Sequence, residues 1–90
     1  MKKYIKIYFK FFKKTIEDII FCEVCGAKAV DIHHIEQKGM GGSKTKDYIE
    51  NLIALCRTCH ENAHANILTK DFLKQKHANY IKRFAENQSK

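Results

Sequence analysis

The sequence contains no proline and no tryptophan, and neither absence excludes a fold class or a function. A more informative absence is that of a long apolar run. Lysines interrupt every apolar stretch of the N-terminal segment, at Lys6, Lys10, Lys13 and Lys14, so we expect neither a secretory signal core nor a membrane span. We therefore predict a protein of the cytoplasm, where a reducing environment keeps cysteines out of disulfides.

Acidic residues are also in short supply. The chain has 17 Lys and Arg residues against 10 Asp and Glu, which gives a net charge of +7 and an isoelectric point of about 9.3. Such an excess is typical of nucleic-acid binding, because Lys and Arg neutralise phosphates and release counterions. An anionic membrane surface or solubility alone would also tolerate it. A chain of 90 residues holds one domain at most and buries little apolar surface, so we expect an additional cross-link.

The apolar pattern predicts an α+β domain that spans residues 1–90. An amphipathic stripe in the first helix would bury Ile16 and Ile19, and Thr58 with Glu61 would form the capping box of a later helix. The two predicted strands would pair as a hairpin around a polar loop with at most one helical turn near its end. The predicted elements are, in order, a helix over 3–20, strands over 29–35 and 52–55, a helix from about residue 59 and a helix over 70–86.

Two Cys-x-x-Cys turns predict the cross-link. They comprise Cys22 with Cys25 and Cys56 with Cys59, and each lies beside a predicted strand. Four thiolates can complete a tetrahedron and leave no open position, which is typical of structural zinc. Two disulfides or free thiols remain the alternative, whereas a Cys2His2 finger is excluded because Cys59 and His60 are adjacent.

Four of the five histidines form two pairs. His33 and His34 end the first predicted strand, while His60 and His64 are four residues apart and share one face of a helix. Two such imidazoles can bind a divalent metal, with zinc, nickel, manganese and magnesium all open. The remaining histidine, His77, is interpreted as structural.

These segments resemble one known family. The residues that carry the likeness are 31–35 (DIHHI), 51–56 (NLIALC), and Cys59-His60 together with His64. They resemble the HNH nucleases, also called ββα-metal nucleases, over a core of residues 21–66. The resemblance implies a small ββα-metal motif with a four-cysteine zinc knuckle, flanked by N- and C-terminal helices. It also implies hydrolysis of DNA with a divalent metal, leaving 5′-phosphate ends.

The resemblance also suggests a role for each site residue. His34 resembles the general base, and Asn51 resembles the residue that braces the loop behind that base. The metal ligands are expected to be His33, His60 and His64, with His60 also a candidate for contact with the scissile phosphate. Many relatives carry an acidic residue at the position of His33, and a histidine there resembles the colicin-type DNase branch, which leaves the preferred metal open.

Local geometry raises two further points about the first strand. Asp31 lies on the same face as His33 and is either an extra ligand or, as we favour, a solvated carboxylate. Because neighbouring strand residues point to opposite faces, His33 and His34 can serve one site only at a bulge or at a strand end.

DNA contact is expected from lysines that face phosphates. The candidates are Lys38, Lys44 and Lys46 in the loop and, more weakly, the lysines of the first helix, which could instead face a membrane or a protein partner. Nothing resembles a base-reading motif, so we expect low sequence specificity within this chain, with a partner to supply it. A symmetric homodimer that makes staggered cuts is also open. The host setting would be a bacterial or phage-infected cell, in restriction, packaging or a mobile element. Competing interpretations are a non-catalytic zinc module that binds nucleic acid and a disulfide-linked secreted effector.

Overall fold

The computed structural model describes residues 2–37 and 46–88. Within them the chain forms three α-helices, two strands and a 3-10 turn between the strands, which is the predicted α+β class. The elements in order are α1 (Lys3–Phe11), β1 (Asp31–His34), the 3-10 turn (Ile49–Asn51), β2 (Leu52–Leu55), α2 (Arg57–His64) and α3 (Lys70–Gln88). The consecutive elements β1, β2 and α2 form the predicted ββα arrangement.

The two strands form an antiparallel hairpin without a bulge. Asp31 pairs with Leu55 at one end and His34 pairs with Leu52 at the other. All four residues of β2 are buried, because the hairpin has an apolar cluster on each face. One cluster contains Ile53, Leu55 and Leu73 with three of the cysteines. The other contains Leu52 and Ala54 with aromatic residues of α1 and with Tyr80 and Phe84 of α3. The hairpin therefore lies at the centre of the core.

The first helix is shorter than predicted. It ends at Phe11 and not at residue 20, because Lys13 adopts a left-handed conformation with φ of 55°. The amide of Lys14 donates to the carbonyl of Phe9 at 2.8 Å and that of Lys13 to the carbonyl of Lys10 at 3.3 Å, which together form a Schellman motif. Glycine usually occupies the left-handed position after a helix. Because lysine occupies it here, the sequence gives no sign that the helix ends.

The segment after α1 also corrects the predicted buried stripe. Ile16 and Ile19 are 76% and 55% exposed. A polar turn holds this segment instead, since the amide of Thr15 donates to the Asp18 carboxylate at 2.7 Å. The apolar spacing therefore continues beyond the end of the helix to Ile16 and Ile19, which do not pack on the core.

The second helix begins two residues earlier than the capping box predicts. Its N-cap is Cys56, whose sulfur accepts a hydrogen bond from the Cys59 amide at 3.5 Å. The Cys56 sulfur thus caps the helix in place of the Thr58 hydroxyl. Cys56 is also a member of the four-cysteine group. At the other end, Asn66 adopts a left-handed conformation with φ of 61°, as asparagine often does after a helix.

A buried polar network connects the first Cys-x-x-Cys turn, which contains Glu23, to both flanking helices. The Glu23 carboxylate accepts a hydrogen bond from the Tyr8 hydroxyl at 2.6 Å and contacts Nδ1 of His77 at 2.7 Å. On its other side, Nε2 of His77 donates to the carbonyl of Ile49 at 2.6 Å. Burial and the nearby Glu23 carboxylate raise the pKa of Tyr8, which keeps its proton available for donation. His77 therefore has the structural role expected for it.

Candidate metal centres and active site

The four cysteines lie together where the first Cys-x-x-Cys turn meets the start of α2. Their sulfur atoms are all within 4.8 Å of one another, and the sulfurs of Cys25 and Cys56 are 3.6 Å apart. Zn–S bonds of about 2.3 Å in a tetrahedron require sulfur atoms about 3.8 Å apart. Gly26, with φ of +82°, closes the first turn in a conformation that favours glycine. The predicted four-cysteine group is therefore present with dimensions that fit a zinc ion.

The charge of this group also favours a cation. Burial and hydrogen bonds from neighbouring thiols raise the pKa of Cys59. For Cys22, burial acts in the same direction, but backbone amides outweigh it and lower the pKa to about 7. Four sulfurs this close cannot all ionise unless a positive charge offsets their repulsion. The donor set thus supports metal binding, and four sulfur ligands suit zinc.

A second group consists of His33 on β1 with His60 and His64 on α2. The ligand atoms of all three also lie within 4.8 Å of one another, and Nε2 of His60 is 3.1 Å from Nε2 of His64. Two nitrogens each about 2.1 Å from one ion lie about 3.0 to 3.4 Å apart, so this pair fits a shared metal. The three predicted ligands are therefore together, and the group opens to solvent on the side of His64.

The electrostatics of His33 suit a metal ligand. Burial and the neighbouring imidazoles of His60 and His64 lower the pKa of His33 to about 4, so the ring is neutral near pH 7 and keeps a lone pair for a metal. Asp31 approaches from the same side, with its carboxylate 3.6 Å from Nε2 of His60. The other oxygen of Asp31 accepts from the Ile32 amide at 2.8 Å, and Asp31 is not a member of the three-histidine group.

His34 lies at the end of β1 with neighbours different from those of His33. Its Nε2 is 2.8 Å from the Asp47 carboxylate, and its ring meets the ring of Tyr4 edge-on at 4.6 Å. The hairpin pairing is regular up to this residue. The two histidines therefore lie at a strand end and not at a bulge. His34 is thus outside the three-histidine group but directly beside one of its members.

Asn51 connects the two ends of the loop between the strands. Its side-chain oxygen accepts from the Glu36 amide at 2.7 Å, and its side-chain nitrogen donates to the carbonyls of Glu36 and Lys46, both at 3.0 Å. Asn51 itself is 2% exposed. A buried amide with three backbone partners holds the flanks of the loop at a set separation.

Two residues near the site have no signal in the sequence. Asp47 belongs to the polar loop, where no sequence pattern distinguishes its carboxylate from others. The pattern around Tyr4 indicates only an amphipathic helix.

Of the three loop lysines expected to contact DNA, Lys46 is partly exposed, whereas Lys38 and Lys44 lie outside the described residues.

Comparison with known protein families identifies the class to which this fold and site belong. The family model described as HNH endonuclease matches residues 22–66, half of the 90-residue chain and nearly all of the predicted core. The chain therefore belongs to the HNH endonuclease family, which indicates a function as a nuclease or in nucleic-acid binding. No curated protein and no solved structure matches the chain. Among the described residues, no helix is both long and apolar enough to cross a membrane.

Proposed function

We propose that this protein is a metal-dependent endonuclease that hydrolyses phosphodiester bonds of DNA, with His34 as the general base. The observation that carries the proposal is the three-histidine group on β1 and α2, directly beside His34 in an HNH chain. Because His33 and His34 are consecutive, their Cα atoms are about 3.8 Å apart. The scissile phosphate would lie at this end of β1, where a strand end allows consecutive histidines to serve one site.

The two candidate metal groups would have different roles. The four cysteines would hold a structural zinc ion, since they leave no position for a substrate. The catalytic ion would be held by His33, His60 and His64, and the candidates are Mg²⁺, Mn²⁺, Ni²⁺ and Zn²⁺. His60 would also contact the scissile phosphate. When bound, that ion would stabilise the negative charge on the phosphoryl oxygens and on the departing 3′ oxygen.

His34 would accept a proton from water as the water oxygen forms its bond to phosphorus. The bond to the 3′ oxygen then breaks, which leaves a 5′ phosphate and a 3′ oxygen that takes a proton from solvent water. Asn51 would act indirectly, because its three hydrogen bonds hold the backbone on both sides of the loop behind His34. A base held in place loses less entropy on reaching the transition state than a mobile one.

Contacts to the DNA backbone would come from Lys46, from Lys38 and Lys44, and from the exposed lysines of α1. The apolar face of α1 is buried in the core through Tyr8, so that face is not free to enter a lipid surface. Tyr4 brings the N-terminal end of α1 next to His34. Both points favour DNA over a membrane as the partner of this helix.

The α1 lysines can be tested through the salt dependence of DNA binding. We expect the double substitution Lys6→Gln with Lys10→Gln to reduce the slope of log affinity against log salt by about 1.8, since each phosphate that a lysine neutralises contributes about 0.9 to that slope. Lys28→Gln with Lys82→Gln is the control, since it removes the same charge from two exposed lysines outside α1. Equal slopes in the two variants would assign the effect to net charge. Binding to anionic vesicles that is abolished only in the α1 variant would support a membrane partner instead.

The proposed activity predicts metal-dependent nicking of supercoiled plasmid. We expect the protein with its zinc intact to cut when Mg²⁺, Mn²⁺ or Ni²⁺ is added and not when these ions are withheld. His64→Ala, which removes one proposed ligand, should require a higher metal concentration, and Asn62→Ala on the same helix is the control. Binding of DNA without cleavage under any metal would instead support a non-catalytic zinc module.

The proposed biological setting follows from the same family. We place the protein in the cytoplasm of a bacterial or phage-infected cell, in restriction, packaging or a mobile element. Since nothing in the sequence resembles a base-reading motif, we expect a protein partner to supply sequence specificity. A symmetric homodimer would allow staggered cuts in the two strands.

A further inference from the structure

The contact between His34 and Asp47 involves a carboxylate that is not among the predicted site residues. A carboxylate can only accept a hydrogen bond, so Nε2 of His34 donates to Asp47 across their 2.8 Å separation. A neutral imidazole carries one proton, and its other nitrogen, Nδ1, then keeps the lone pair. The orientation of Asp47 therefore determines which nitrogen of His34 is able to accept a proton.

The surroundings of this contact favour a persistent arrangement. The side chains of His34 and Asp47 are only 13% and 6% exposed, so water competes weakly for their hydrogen bond. The ring of Tyr4 packs against the ring of His34 and restricts its rotation. Among residues 2–37 and 46–88, no group is found to hydrogen-bond to Nδ1 of His34.

The backbone on both sides of the contact is fixed by one residue. Asn51 binds the backbone of Glu36, two residues after His34, and the carbonyl of Lys46, one residue before Asp47. Its own amide donates to the carbonyl of Tyr48 at 2.9 Å, one residue after Asp47. The separation between His34 and Asp47 is thus set by hydrogen bonds that do not involve either side chain.

We propose that Asp47 is the positioning residue of His34: it holds the proton on Nε2 and so leaves Nδ1 to accept a proton from water. The role of Nδ1 as proton acceptor rests on the nuclease function proposed above. When Nδ1 takes up that proton, the ring becomes positively charged beside a carboxylate that already faces it. Asp47 thus both selects the tautomer and stabilises the charge that forms on the base.

The test is Asp47→Asn, which preserves size but offers an amide that can donate to Nε2. Nitrogen chemical shifts of the His34 ring, measured by NMR, should indicate the Nε2–H tautomer in the parent protein and a mixture or the Nδ1–H tautomer in the variant. In plasmid cleavage, kcat should fall by at least about 10- to 100-fold, the decrease typical when the hydrogen-bond partner of a metal-ligating histidine is removed. DNA affinity, folding and zinc content should not change.

Asp71→Asn is the matched control, because Asp71 is an exposed carboxylate at the start of α3. It should change neither the tautomer nor kcat. An unchanged tautomer in Asp47→Asn would overturn the inference, and so would a changed tautomer with an unchanged kcat in a protein that cleaves. If the parent does not cleave DNA at all, the nuclease proposal fails, while the ring shifts still decide whether Asp47 sets the tautomer of His34.

Discussion

Removal of metal from the four-cysteine group is expected to unfold the protein. Cys22, Cys56 and Cys59 are members of one of the two apolar clusters, so the metal site and the core on this face of the hairpin are the same structure. Structural zinc contributes about 10 to 16 kcal/mol of apparent binding free energy in zinc-finger peptides. The net stability of a domain is only about 5 to 15 kcal/mol, so little or no stability should remain without the ion.

Cys59→Ser tests this expectation without a chelator. The variant should bind far less than one zinc ion per chain, lose most of its far-UV circular dichroism and show no cooperative thermal transition. Thr58→Ser, one residue away and exposed, is the control and should keep one zinc ion and the parent's melting temperature. A cooperative transition at the parent's temperature in metal-free Cys59→Ser would show that the apolar clusters hold the fold without zinc.

Features that depend on short spacings could be predicted from the sequence. The cysteine turns and the pair His60 and His64 are defined by spacings of three and four residues, and such spacings largely determine geometry. The four apolar residues of β2 likewise indicate a buried strand. His33 joins the two helix histidines because the hairpin predicted from two short segments forms in the required order. The family resemblance is confirmed over the same region.

Errors arise where a conformation has no residue type to mark it. Lys13 ends α1 in a conformation usually adopted by glycine, so the apolar period extends the predicted helix to residue 20. The contact of His34 with Asp47 and the network around Glu23 join residues distant in sequence, and no local pattern encodes such pairs. The type and order of the elements and the members of both candidate ligand groups were therefore predictable, whereas the end of α1 and the carboxylates that contact His34 and His77 were not.

Removal of the proposed general base should have the largest effect on catalysis. We expect His34→Ala to lower the rate of DNA cleavage by about 10² to 10⁴-fold, the usual contribution of a positioned base. The protein should keep its fold and its zinc, because His34 belongs to neither apolar cluster and to neither candidate ligand group. DNA affinity should also be retained, since phosphate contacts dominate such binding.

Two further measurements separate absence of the base from absence of the catalytic metal. Excess metal should not restore His34→Ala, whereas it should at least partly restore His64→Ala, in which a proposed ligand is missing. Added imidazole should partly restore His34→Ala, because a small base can enter the space left by the ring and accept the proton from water. Full activity in His34→Ala would exclude the residue as the base. Restoration of His34→Ala by metal alone would instead make His34 part of the metal site, and the base would then have to be sought among His33, His60 and His64.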